Sequence, residues 1–172
     1  MAPEPWYISE SQADDYQIQI IRKKIGSSFV VKGCAGSGKT LLALWTAAEL
    51  QKSGQDDYVI VVYTKALKAF IMGGIKELNL DESKIMYHYE WKKKGYPSAD
   101  YIIVDEVQDF NESEIKKFEN AAQKHLILFG DSAQQIYSDY REGLLTMEQI
   151  STLIDLRLEP LVFNHRLPKK IA

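Results

Sequence analysis

The stretch Ser28-Phe29-Val30-Val31-Lys32-Gly33-Cys34-Ala35-Gly36-Ser37-Gly38-Lys39-Thr40-Leu41-Leu42 decides the fold. It begins as an apolar strand, passes through a glycine-rich loop and ends in the first turn of a helix. Gly33, four residues, then Gly38, Lys39 and Thr40 is the spacing of a phosphate-binding loop. Gly33, Gly36 and Gly38 let the backbone turn tightly and aim N–H groups inward, with Cys34, Ala35 and Ser37 completing the cradle. The helix starting at Lys39 adds the positive end of its dipole. Lys39 is placed to reach the β- and γ-phosphates of a nucleotide, and the Thr40 hydroxyl to ligate Mg²⁺.

Around this centre the chain alternates strand and helix. Short apolar runs predict strands at 29–32, 58–63, 101–105, 126–130 and 158–163. Their Val, Ile and Leu content is that of strands buried on both faces. Helices are predicted at 39–53, 66–79, 112–123 and 147–154, the first of them amphipathic. Asn111 followed by Glu114 has the pattern of a capping box at the start of the third. This alternation predicts an α/β fold with a mainly parallel sheet and helices on both faces. Ligands of such sheets bind at the carboxyl ends of the strands, where the phosphate loop lies.

Two further strand ends carry polar groups. Tyr101-Ile102-Ile103-Val104-Asp105-Glu106-Val107-Gln108-Asp109-Phe110 ends an apolar run in two adjacent carboxylates. Asp105 can hold Mg²⁺, and Glu106 can accept a proton from an attacking water. Leu126-Ile127-Leu128-Phe129-Gly130-Asp131 runs on into Gln134 and Gln135, neutral groups suited to sensing a γ-phosphate. The planar guanidinium of Arg166, after the last strand, is also suited to a phosphate.

Composition sets bounds. The chain has 172 residues, one domain's worth, with net charge −3 and a single cysteine, Cys34. There is no internal disulfide and no run resembling a membrane span or a signal peptide, so a reducing cytoplasmic setting is expected. The acidic balance excludes a basic nucleic-acid coat; nucleic acid would have to meet a local patch.

The motifs together resemble the first RecA-like domain of superfamily-1 helicases of the UvrD/Rep kind. GCAGSGKT at 33–40, Val62-Tyr63-Thr64-Lys65-Ala66, DEVQD at 105–109, GDSAQQIY at 130–137 and Leu161-Val162-Phe163-Asn164-His165-Arg166 follow the family's order. Asp15-Tyr16-Gln17 is similar to its upstream glutamine motif. The resemblance divides the chain into residues 1–27, carrying the glutamine motif, and a RecA-like ATP-binding domain over 28–172. It implies ATP and Mg²⁺ as cofactors. Gln17 would read adenine, with Gln12 as its rival, and Lys39 and Thr40 would hold phosphate and metal. Asp105 would hold the metal and Glu106 would activate water. Gln134 and Arg166 would meet the γ-phosphate. His165 stands where the family has an adenine-stacking tyrosine.

The resemblance also implies a single-stranded DNA or RNA partner, met by Thr64 and Lys65, with Tyr140 near the family's base-stacking position. Tyr87-His88-Tyr89-Glu90-Trp91-Lys92-Lys93-Lys94-Gly95-Tyr96 interleaves aromatics with lysines, which adds Trp91, His88 and the three lysines as candidates. Only 35 residues separate Lys65 from Tyr101, so the accessory domain usual in UvrD-type members has no room there. The family's second RecA-like domain would follow Ala172, so the chain reads as part of a longer protein. Two functions fit: the ATP-binding half of a single-strand motor, or a nucleotide-gated regulatory ATPase that does not translocate.

Overall fold

The computed structural model describes Gln19, Arg22 and residues 25–131 and 143–161. Six strands form one sheet: β1 (Phe29–Gly33), β2 (Tyr58–Val62), β3 (Ile85–Tyr87), β4 (Ala99–Val104), β5 (Ala122–Gly130) and β6 (Leu158–Leu161). Their order is β3-β2-β4-β5-β1-β6, and every pairing is parallel. The helices are α1 (Lys39–Lys52), α2 (Lys65–Glu77), α3 (His88–Lys93), α4 (Glu112–Ala121) and α5 (Met147–Leu153). Parallel strands need crossovers, and helices supply them on both faces.

Strand alternation sorts the core into two layers. Phe29, Val31, Ile60, Val62, Ile103, Ile127 and Phe129 face α1 and α2. Val30, Val61, Ile102, Val104, Leu126 and Leu128 face the other way, onto Trp91, Ile115, Phe118, Met147 and Ile150. Each side chain of this kind, fully buried, contributes about 1.5–3 kcal/mol. Among the described residues no helix is long and apolar enough to cross a membrane.

The predicted α/β architecture is the observed one, with four differences, the first being helix α3, which was not predicted because six residues are too few to show a helical period. Helix α1 is not amphipathic: Leu41, Leu42, Ala43, Leu44, Trp45, Thr46, Ala47, Ala48 and Leu50 are all buried, and Thr46 satisfies its hydroxyl on Leu42 O at 2.7 Å. Helix α4 stops at Ala121 and the chain passes directly into β5, where Ala122 pairs with Ala99. Pairing with β4 there overrides the helical preference of an Ala-rich segment. Strand β3 was not predicted; three residues at a sheet edge carry too little periodicity to read. The capping box of Asn111 and Glu114 is present at the start of α4. The predicted strand over 158–163 is seen as Leu158–Leu161, its last two residues lying outside the described residues.

Candidate functional site

Strands β4, β5 and β1 are neighbours, so their carboxyl ends bring Asp105, Asp131 and the phosphate loop together. The loop's glycines serve two purposes. Gly36 and Gly38 have φ of 77° and 85°, left-handed values that side chains with a Cβ resist. Gly33 is needed for space instead: a Cβ there would lie 2.4 Å from Ser37 Oγ and 3.1 Å from Leu161 Cβ.

Helix α1 has the preceding Gly38 as its N-cap, with no side-chain cap and no acidic residue in the first turn. Its N-terminal N–H groups and dipole therefore face the loop without a competing carboxylate from the helix itself. Lys39 is 6% exposed. Its ammonium donates to Gly33 O and Cys34 O, each at 2.9 Å, and lies 3.8 Å from Asp131 Oδ2. The loop thus holds its lysine by its own carbonyls, against the buried carboxylate at the end of β5.

Thr40 Oγ1 donates to Asp105 Oδ2 at 2.6 Å. The carboxylate's other oxygen, Oδ1, accepts the Glu106 N–H at 3.0 Å. Asp105 is 1% exposed. Burial, followed by the neighbouring Glu106 charge, pushes its carboxyl up to about 7, against the pull of Thr40, the Glu106 N–H and Lys39. Such a carboxylate is short of positive charge. A hydroxyl and a carboxylate are hard oxygen donors of the kind Mg²⁺ takes, and that ion needs only one or two protein ligands beside phosphates and water. The donor set fits Mg²⁺.

Glu106 has φ 55° and ψ 44°, a left-handed conformation rare for a residue with a long side chain. Its carboxylate accepts from Gln108 Nε2 at 2.7 Å, and Gln108 Oε1 accepts the Asp131 N–H at 3.0 Å. Gln108 and Asp131 were assigned no role from sequence. Their motifs were visible, but the contact between them depends on β4 and β5 being adjacent.

The expected nucleic-acid residues separate. Thr64 and Lys65 are exposed at the end of β2, where Thr64 Oγ1 caps α2 by accepting from Leu67 N at 3.0 Å. Trp91 is 0% exposed, so it is withdrawn as a base-stacking residue. It stacks on Phe118 with ring centroids 4.8 Å apart and donates to Pro97 O at 3.1 Å. An indole of that size, on the inner face of a short helix, does more by filling the core than by facing water.

His88 is also turned inward. Its ring meets Phe110 edge-on at 5.0 Å and its Nε2 lies 3.3 Å from Glu114 Oε1. Burial lowers its pKa, partly offset by Glu114. The aromatic that faces outward is Tyr89, 64% exposed. It borders a surface groove of ≈ 480 Å³ lined by Lys65, Lys68, Met72, Tyr87, Tyr89 and Lys93 among others. Lys92, Lys93 and Lys94 are exposed beside it. Gln12, Gln17, Gln134, Gln135, Tyr140, His165 and Arg166 lie outside the described residues.

Among solved structures, the chain is similar in fold to the Pyrococcus furiosus Hef helicase domain: TM-score 0.62, 16% identity, covering 87% of this chain and 38% of that one. It is similar to the Candida albicans Pif1 helicase, with TM-score 0.58 and 15% identity over 87% of this chain and 39% of that one. Bacteroides Pif1 bound to ssDNA gives TM-score 0.53 and 15% identity, over 90% of this chain and 43% of that one. The chain therefore spans less than half the length of each of these proteins. At such identities the likeness shows a shared fold, that of RecA-like helicase domains. No curated protein matches the sequence. The sequence profile of one family, described as an AAA domain, matches residues 17–139, from the glutamine segment through all three strand ends that build the site. The chain belongs to this AAA domain family.

Proposed function

We propose that the chain is the ATP-binding domain of a superfamily-1, UvrD-like helicase or translocase. In this reading ATP hydrolysis drives movement along single-stranded DNA, in concert with a second RecA-like domain. The observation that carries it is the 2.6 Å bond between Thr40 and Asp105, which puts a hydroxyl of the phosphate loop and a buried carboxylate where one Mg²⁺ would take both.

Lys39, already held by loop carbonyls, would neutralise the β- and γ-phosphates. Mg²⁺, held by Thr40 and Asp105, would supply charge neutralisation of the triphosphate. Glu106 would take the proton of a water whose oxygen bonds to the γ-phosphorus, as the bond to the bridging oxygen breaks and ADP leaves. Gln17 and His165 would hold adenine, and Gln134 and Arg166 would meet the γ-phosphate. Thr64 and Lys65 would meet the strand's backbone, with Tyr89 taking the place expected of Trp91 and Tyr140 as a further contact. Two observations support the strand as partner: the exposed lysines beside Tyr89, and the fold shared with a Pif1 solved on ssDNA.

Calorimetry with MgATP tests the reading. Lys39→Ala removes the one buried cation of the loop and should weaken binding by about tenfold to a hundredfold or more, on the scale of a lost charge-assisted hydrogen-bond set. Equal affinity for wild type and Lys39→Ala would defeat it.

A further inference from the structure

Gln108 sits in the short turn Val107–Asp109 after β4 and is 2% exposed. It does not line the groove beside Tyr89. Its amide has two unlike partners, the Glu106 carboxylate and the Asp131 N–H. Their chemistry settles which end is which. An ionised carboxylate only accepts and a backbone N–H only donates, so a flipped amide would lose both bonds.

The fold makes room for this amide. A Cβ on Gly130 would lie 2.7 Å from Gln108 Oε1 and 2.6 Å from Met147 Sδ, so glycine at 130 is what lets Gln108 reach Asp131. Asp131 then works at both ends. Its N–H fixes the amide, and its carboxylate lies 3.8 Å from the Lys39 ammonium. Glu106, Gln108, Asp131 and Lys39 form one run of contacts from the carboxylate after β4 to the lysine of the loop. A glutamate has three rotatable side-chain bonds, and Glu106 is only half-buried. Without Gln108 it would have no side-chain donor among its described hydrogen bonds to hold its direction.

We infer that Gln108 is a positioning residue for hydrolysis: it orients the Glu106 carboxylate and sets that orientation relative to Lys39 through Asp131. The inference rests on Glu106 being the base. Gln108 exchanges no proton and meets no reacting atom; it acts by keeping the base in place, where misorientation alone costs rate.

The test uses the full chain in excess over MgATP, so that one slow turnover is read, beside calorimetric MgATP affinity. Gln108→Ala should slow hydrolysis about tenfold or more with affinity kept within about twofold. Gln108→Glu keeps the shape but sets a carboxylate against Glu106, and should be at least as slow. In a Glu106→Gln background Gln108→Ala should add no further loss, because groups acting as a unit are not additive. Amide exchange at Asp131, read by NMR, should speed up in Gln108→Ala while exchange in the core of β1 stays slow. That comparison separates the lost contact from unfolding. Hydrolysis by Gln108→Ala within about twofold of wild type, or a full further loss on top of Glu106→Gln, would overturn the inference. Where the wild-type chain binds MgATP but turns it over too slowly to read, as a site acting in concert with a second domain can, the NMR comparison decides: Asp131 exchange unchanged in Gln108→Ala would overturn the inference. A wild-type chain that binds no MgATP would instead overturn the proposed function.

Discussion

Thr40 Oγ1 donates to Asp105 Oδ2 across 2.6 Å, although the two residues are 65 positions apart. Strand β5 lies between the strands that carry them, so the bond closes the loop after β1 onto the end of β4. It does not neutralise Asp105. A hydroxyl offers one proton to a carboxylate that burial and Glu106 both disfavour in its charged form. A cation beside Asp105 would therefore relieve the cost of its charge.

That charge gives a pH prediction. The Asp105 carboxyl, raised to about 7 in the folded chain, takes a proton more readily there than in the unfolded chain, where its value is about 4. Its contribution to stability is fully present below the unfolded value and is lost as pH rises through 7. Asp105→Asn carries no such charge at any pH. Without nucleotide or metal, its melting temperature relative to wild type should rise from pH 5 to pH 8. Mg²⁺ and ADP at pH 8 should then favour wild type, because an amide is the poorer metal ligand. A difference that is flat across this range would show that Asp105 carries no unrelieved charge.

Glu106 joins a strained backbone to a chemical role, and two substitutions separate them. Glu106→Gln keeps shape and removes the base, so hydrolysis should fall by about a hundredfold or more with MgATP affinity kept. Glu106→Gly and Glu106→Ala both remove the side chain, but at φ 55° the glycine variant should be the more stable, by about 1 kcal/mol. Denaturant unfolding of the pair checks the second point. Equal stabilities would mean that the left-handed conformation costs nothing.

What could be read in the sequence was local. The phosphate loop is a run of adjacent residues whose spacing is its chemistry, and the adjacent carboxylates Asp105 and Glu106 end a strand long enough to recognise. The two residues of the capping box, Asn111 and Glu114, are only three positions apart. What was missed depends on neighbours. The link from Gln108 to Asp131 crosses two strands that pair only in the sheet. The burial of α1 on all sides follows from what packs around it, which its own periodicity does not report. Trp91 was misjudged because a mixed run of aromatics and lysines looks alike whether it faces nucleic acid or folds its largest ring into the core.

Trp91 should accordingly behave as a core residue. Its ring is fully buried between Phe118 and Tyr96, with centroids 4.8 and 4.9 Å away, and its indole N–H is satisfied by Pro97 O. Trp91→Ala should cost about 3–5 kcal/mol of stability. Urea unfolding measures this. A loss below about 1 kcal/mol would be typical of a surface site and would contradict the packing.

The final prediction concerns the strand. If Tyr89 and the nearby lysines meet single-stranded nucleic acid, stacking and charge should be separable by substitution. Tyr89 is 64% exposed, so Tyr89→Ala removes a stacking face with little effect on the core. It should weaken binding of an oligo-dT strand by about 1–3 kcal/mol with the salt dependence unchanged. Lys65 is exposed at the start of α2, beside the same groove, and Lys68 there is already paired with Glu90 at 2.9 Å. Lys65→Ala should instead lower the slope of log affinity against log salt by about 0.7, one phosphate's share on a single strand. Lys68→Ala should lower it less, because Glu90 already offsets that charge. Fluorescence anisotropy over a salt series reads all three variants. A Tyr89→Ala chain that binds as wild type, together with a slope that Lys65→Ala does not change, would move the strand off this groove.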